Sequence, residues 1–155
     1  MIFIGVIGFL AALDLFIKSA IEEQDETAFP KELGGSGGKI LLHKNHNAGF
    51  SFGYLKDRGS LVQMIPLAVA SFIGGMLVCL LQKKGNIGEK LALSIALGGA
   101  VSNLHDRLIR RYVVDYFSIQ YGRLKKVVFN LGDFFIFLGA GMLLVIEVTK
   151  AIKER

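Results

Sequence analysis

Four stretches of the chain are apolar for long enough to cross a bilayer, and polar segments of unequal length separate them. They run from Met1 to about Ile21, about Leu61 to Leu81, about Ile87 to Leu104 and about Leu131 to Ile152. Each is close to the roughly 20 residues that span a hydrocarbon core. The first lacks a basic start and carries Asp14 and Lys18 in its second half, so it reads as a retained helix rather than a secretory signal. Between the helices the pattern shortens. KILLHKNHNAGFSFG reads as strand, tight turn, strand, and YVVDYFSIQYG and LKKVVF read as two strands around Tyr121-Gly122. An open sheet edge cannot lie in lipid, so these strands belong at or above the membrane surface. The expected fold is an all-α membrane protein: a four-transmembrane-helix bundle with a small sheet on the membrane surface, built as one domain over residues 1–155. The sheet comes from the loops at about 22–60 and 105–130.

Composition agrees with that pattern. Apolar residues make up 52% of the chain, with nineteen glycines and two prolines. Glycine lets membrane helices approach closely. The single cysteine, Cys79, rules out a disulfide within the chain. The net charge of +5 falls mostly between and after the apolar runs, which suits lipid-headgroup anchoring, and no nucleic-acid motif accompanies it. The positive-inside rule leans toward both termini in the cytoplasm. Lys83, Lys84 and Lys90 occupy a short loop, and Lys150, Lys153 and Arg155 the tail. The opposite side holds more basic residues in total, but in longer segments that include an acidic cluster, Glu22, Glu23, Asp25 and Glu26. GGSGG, residues 34 to 38, has the composition of a flexible linker.

Polar residues at membrane depth are costly and need partners. Asp14 and Lys18 are four apart on one helix face and read as a structural ion pair near the membrane surface, with Lys18 reaching outward. Asn103, Asp106 and Arg107 share a face at the end of the third helix, either as ordinary interface residues or as part of a site. Asp115 interrupts an apolar run. Its side chain points with Val113 and Phe117, or else outward with Val114 and Tyr116 facing in. Asn130 and Asp133 suit an N-cap and the positive end of a helix dipole. Asn103-x-x-Asp106 and Asn130-x-x-Asp133 nevertheless fall at one membrane face with Asp115 between them.

No plausible serine–histidine or cysteine–histidine arrangement is available. His43, His46 and His105 lack metal-ligand spacing, so no metal or other cofactor is expected. Paired carboxylates remain. Two aspartates held close share a proton, so one can activate a water while the other donates a proton.

The motifs together resemble the bacterial lipoprotein signal peptidase (signal peptidase II) family over nearly the whole chain. Asp14 with Lys18 is similar to its D-x-x-x-K segment, and NAGFSFG, 47 to 53, to N-x-G-A-A-F-S. GGAVSNLHDRL, 98 to 108, resembles G-G-A-x-G-N-x-x-D-R-x. YVVDYF, 112 to 117, resembles the V-V-D-F element, and FNLGDFFI, 129 to 136, resembles F-N-x-A-D-x-x-I. The resemblance implies a four-transmembrane-helix bundle with both termini cytoplasmic and a small extracytoplasmic β-cradle, acting as an aspartic endopeptidase of the bacterial cytoplasmic (inner) membrane with its active site near the outer face. Its substrate would be a prolipoprotein whose cysteine carries a diacylglyceryl group. It implies Asp115 and Asp133 as the catalytic dyad. Asn47, Asn103, Asp106, Arg107, Asn130, Asp14 and Lys18 become supporting or substrate-binding residues. Membrane lipid is the other expected partner, nucleic acid is not, and the protein is expected to be a monomer. Departures from the family pattern are Ser102 for Gly, Gly132 for Ala, Phe50-Ser51 for Ala-Ala and Tyr116 for Phe. Ser102 is expected to bond back to a helix carbonyl, and Phe50 to add bulk beside the substrate groove. The rival readings are a small proton-conducting bundle and a non-catalytic relative that binds lipoproteins.

Overall fold

A computed structural model of the chain describes residues 1–49 and 59–154. Four long helices carry most of it: α1 (Ile2–Glu22), α2 (Gly59–Leu81), α3 (Ile87–Ile109) and α4 (Leu131–Lys153). Three short strands, β1 (Lys31–Glu32), β2 (Ile40–Asn47) and β3 (Val113–Ile119), form an antiparallel sheet in the order β1-β2-β3.

α1, α2 and α4 are long and apolar enough to cross a membrane. Large side chains such as Phe9, Phe16, Phe72, Phe137 and Leu144 point outward from them, as lipid contact requires. α3 is as long but different in kind. It is the central helix, packed against the other three, and it buries Glu89, Lys90, Asp106 and Arg107. It also runs five residues beyond the Leu104 expected from hydropathy. The apolar run ends there, but the helix continues because its polar residues bury against α1 and β3 instead of facing lipid.

Small residues set the spacing of α3 and α4. A Cβ on Gly99 would lie 2.2 Å from the Gly132 carbonyl oxygen, and one on Gly139 would lie 2.4 Å from that of Ala92. Such close approach is what the glycines at 98 and 99 suggest. Gly139→Ala is expected to force the two helices apart and to destabilise the protein by about 1–3 kcal/mol. Thermal unfolding in detergent measures this.

The sheet sits on the end of α1. Lys44 Nζ donates to the carbonyl oxygens of Glu22 (2.8 Å), an acceptor that the helix end leaves open, and of Gln24 (2.9 Å) just beyond it. Ile21, Val114 and Tyr116 form a small core between helix and sheet. GGSGG is not a linker here: it turns the chain from β1 into β2 and closes with a 2.6 Å bond from the Gly38 N–H to Glu32 Oε1. Gly35, Gly37 and Gly38 have φ of 81°, 59° and 73°, a region open to glycine at little cost.

LKKVVF does not form the expected strand. Leu124–Lys126 is a 3-10 turn, and only Phe129 pairs with the sheet, bridging Phe117. NAGFSFG is described only as far as Gly49, so the second strand expected there, with Phe50 and Ser51, lies outside the described residues. Between Leu42 and Asn45 the β2–β3 register slips, an irregularity of the kind that re-aims side chains. Beyond it Asn45 faces Asp115 and Asn47 faces Val113.

Candidate functional site

Asp115 sits in the middle of β3 and is 4% exposed. The two orientations considered for it turn out not to compete. Val114 and Tyr116 do face inward, toward Ile21, yet the opposite side of the strand is also covered, because Val113 and Asp115 face a cleft of about 540 Å³. Asn47 from β2 donates to Asp115 Oδ2 at 3.0 Å, and Asn130 donates to Oδ1 at 2.7 Å. Burial pushes the Asp115 carboxyl up from 3.8 to about 7, and the charge of Asp133 adds to the effect, while the two asparagine donors oppose it.

Asp133 arrives from the other side, on the first turn of α4. Asn130 is the N-cap: the Asp133 N–H donates to Asn130 Oδ1 (2.9 Å), and Asp133 Oδ2 accepts from the Asn130 N–H (3.3 Å). This is a capping box with Asn and Asp in the two roles. One side chain therefore holds both acids, since Asn130 offers its oxygen to the Asp133 backbone and its amide to Asp115. Asn103 of α3 completes the Asp133 site, donating to Oδ1 at 2.9 Å. Both aspartates, Asn47, Asn103 and Arg107 line the cleft, with Ile65, Pro66 and Val69 of α2 across from them. Arg107 Nη2 donates to the Gly49 carbonyl at 2.9 Å and so ties α3 to the chain just after β2.

Asp14 and Lys18 form the expected ion pair, at 2.9 Å, but Lys18 does not reach outward. Both are fully buried, and Lys18 turns inward. Its ammonium lies 3.1 Å from Asp106 Oδ2 and donates to Asn103 Oδ1 (2.8 Å) and Ser102 Oγ (3.2 Å). The reason is its partners: three helix positions on α3 converge on it, and reaching outward would strand two carboxylates in a dry interior. Asp106 is likewise internal. It accepts the Val114 N–H at 3.1 Å and pairs with Arg110 at 3.0 Å, fixing β3 to α3. Ser102 does not bond back to its own helix; its hydroxyl donates to Asp14 Oδ2 at 2.5 Å. Tyr116 is a member of this network that the sequence reading misses. Its hydroxyl donates to Asp14 Oδ1 (2.9 Å) and accepts the Leu131 N–H (2.9 Å). The available signal is its alternation with Asp115: an inward tyrosine on a buried strand needs a partner for its hydroxyl.

The histidines do not converge. His43 contacts Ser118 at 2.7 Å, His46 contacts Glu22 at 2.7 Å, and His105 is half exposed. Among the described residues no group of three His, Cys, Asp or Glu side chains is placed to hold a metal.

A helical membrane protein with two bridged aspartates in a cleft beside a small sheet is the class defined by this geometry. The family model for signal peptidase (SPase) II matches residues 6–149, and the chain belongs to that family. It is 30% identical to the lipoprotein signal peptidase of Cupriavidus taiwanensis over 145 residues, covering 92% of this chain and 80% of that protein. The Haemophilus influenzae lipoprotein signal peptidase is 36% identical over 115 residues, covering 72% of this chain and 65% of the relative. For the Aeromonas hydrophila lipoprotein signal peptidase the match is 34% over 108 residues, covering 68% and 64%. The chain thus spans a little under two thirds of the last two relatives. A bacterial membrane enzyme solved by the in meso method at 2.3 Å shares the fold, with TM-score 0.80 at 18% identity over 99% of this chain and 91% of that one. A second, solved at 1.9 Å, gives TM-score 0.77 at 20% identity over 93% and 90%.

Proposed function

We propose that the chain is an aspartic endopeptidase that removes the signal peptide from diacylglyceryl-modified prolipoproteins. In this reading residues 1–155 are one multi-pass domain of the bacterial cytoplasmic membrane. All four helices span it, both termini are cytoplasmic, and the cleft opens near the outer face. The observation that carries the reading is the Asn130 side chain, which from behind the wall of a cleft bounded by helices and sheet contacts Asp115 and Asp133, both of which line it.

The chemistry follows from the pair. Together the two carboxyls hold one proton near neutral pH. The ionised one takes a proton from a water as its oxygen attacks the scissile carbonyl carbon. The protonated one donates its proton to the carbonyl oxygen. As the tetrahedral intermediate collapses, one of its hydroxyls returns a proton to the dyad, the C–N bond breaks, the amine leaves with a proton from the dyad, and no covalent enzyme intermediate forms. Asn47, Asn103 and Asn130 keep the carboxyls turned toward each other. Arg107, in the cleft wall, meets a main-chain carbonyl of the substrate or the polar part of its lipid. The apolar outer surface of the helices accommodates the acyl chains and surrounding lipid.

The purified protein incubated with a lipidated prolipoprotein is expected to give the shorter product on a gel, and the unlipidated precursor is expected to stay intact. Binding without cleavage points to the non-catalytic relative, and proton flux in liposomes to the conducting bundle. The clustering of Asp14, Lys18, Asn103, Asp106, Asp115 and Asp133 at one end of the helices disfavours a proton path along the bundle.

The dyad also sets a pH dependence. The active form holds one proton, and the raised Asp115 pKa means that this proton leaves as pH rises through about 7. Cleavage rate is expected to fall above that point. Asn47 donates to the Asp115 carboxylate and stabilises its ionised form. Asn47→Ala is therefore expected to move the alkaline limb to higher pH. A limb that moves to lower pH, or stays in place, contradicts the assignment.

A further inference from the structure

Ser102, Tyr116 and Gly132 come from three different elements, α3, β3 and α4, and the described lining of the cleft includes none of them. They meet at one buried carboxylate. Ser102 Oγ donates to Asp14 Oδ2 at 2.5 Å, and the Tyr116 hydroxyl donates to Asp14 Oδ1 at 2.9 Å. A Cβ on Gly132 would lie 2.9 Å from Asp14 Oδ2, 2.9 Å from Asn130 Oδ1 and 3.0 Å from the Gly99 carbonyl oxygen. Two hydroxyls thus hold Asp14 against the first turn of α4, at a place where only a residue without a side chain leaves room.

That first turn carries the site. The Tyr116 hydroxyl accepts the Leu131 N–H, one of the helix-start donors with no partner inside the helix. Asn130 Oδ1, which a methyl on residue 132 would press, accepts the Asp133 N–H. From Asp14 the same network runs through Lys18 to Asn103 and on to Asp133 Oδ1. Asp14 therefore reaches Asp133 by two routes, through the start of α4 and through α3. These are also three of the positions at which the sequence departs from the family pattern, and the geometry joins those departures into one arrangement.

We propose that Ser102, Tyr116 and Gly132 act as one positioning unit, which locks Asp14 against the start of α4 and thereby sets the orientation of Asp133 toward Asp115. The two hydroxyls tighten the need for glycine. Without them Lys18 still holds the Asp14 carboxylate, but it can yield to a methyl on residue 132, so that only the approaches to Asn130 Oδ1 and the Gly99 carbonyl oxygen remain close.

The test is a substitution cycle on the full chain in detergent, with a lipidated prolipoprotein as substrate. Because it rests on the proposed activity, the unsubstituted protein is assayed first. Gly132→Ala alone is expected to lower kcat about tenfold or more with KM nearly unchanged. The same change in the Ser102→Gly, Tyr116→Phe background is expected to cost at least about threefold less than it does alone. Gly132→Ala that is harmless alone, costs the same in both backgrounds, or acts only on KM overturns the proposal. If the unsubstituted protein cleaves nothing, the activity reading fails by itself, and thermal midpoints of the same variants decide the unit. Non-additive midpoints support it, and additive midpoints overturn it.

Discussion

Asp115→Asn and Asp133→Asn are each expected to lower the rate of prolipoprotein cleavage by about a thousandfold or more while the protein stays folded and inserted. The size follows from the loss of a positioned acid or base, typically about 10²–10⁴-fold for one proton transfer, and in the proposed mechanism each carboxyl serves in more than one. Folding should survive because an asparagine keeps the shape and one of the two hydrogen bonds that each carboxylate accepts. In Asp133→Asn the new amide oxygen can still accept from Asn103, and the backbone N–H of residue 133 can still donate to Asn130 Oδ1, while the bond from the Asn130 N–H is given up. In Asp115→Asn the new amide oxygen can still accept from Asn130. The stability of the Asp115 variant carries a second signature. Burial raises the Asp115 carboxyl from 3.8 to about 7. Its folded state thus binds a proton more tightly than its unfolded state. Wild-type stability then declines as pH rises from about 4 to about 7, by up to about 4 kcal/mol at ~1.4 kcal/mol per unit. Asp115→Asn does not titrate there, so its unfolding midpoint should gain on the wild type across that range and hold the gain above pH 7. Wild-type cleavage by either variant, or a midpoint difference that ignores pH, removes Asp115 and Asp133 from the roles given to them.

Much of this site is legible in the sequence, and the limits of legibility have physical causes. Asn130 and Asp133 announce a helix start through local capping chemistry, and that start is where the structure has it. Gly99 beside Gly98 announces close helix packing, which Gly132 and Phe135 provide. The helix boundaries come from hydropathy and are accurate where lipid is the neighbour. They fail at the end of α3, where the neighbours are α1 and β3 and polar residues are welcome. Lys18 shows the same limit. Its sequence context, a lysine four residues after an aspartate, describes the pair but not its direction. That direction depends on Ser102, Asn103 and Asp106, more than eighty residues away. Likewise GGSGG reads as flexible by composition, whereas pairing of β1 with β2 makes it a turn. Tyr116 escapes notice because a Tyr-for-Phe difference looks small until its hydroxyl is seen joining Asp14 to Leu131.

Lys18→Met is expected to be the most damaging single change outside the dyad, costing about 3–5 kcal/mol of stability. Lys18 is fully buried, and its ammonium is within 3.1 Å of carboxylate oxygens from both Asp14 and Asp106. Methionine fills much of the same volume but leaves those two negative groups facing each other with no cation between them. Removing one partner of a buried pair costs more than the pair is worth, because the remaining charge keeps its desolvation penalty. Arg110 and the Val114 N–H still serve Asp106, and Tyr116 and Ser102 still serve Asp14, so the loss falls on the space between the acids. Asp14→Asn added to Lys18→Met removes one of the two charges and should recover part of the lost stability, a reversal that a packing defect alone does not produce. Activity should not return with it. Lys18 also donates to Asn103 Oδ1, and Asn103 in turn donates to Asp133. Without the lysine, Asn103 loses the contact that fixes which way its amide points, and the donor facing Asp133 is no longer held. Unfolding midpoints and cleavage rates of the single and double variants separate the two effects. Equal stability of Lys18→Met and the double variant, or full activity in the double variant, would show that Lys18 neither balances these acids nor steadies Asp133.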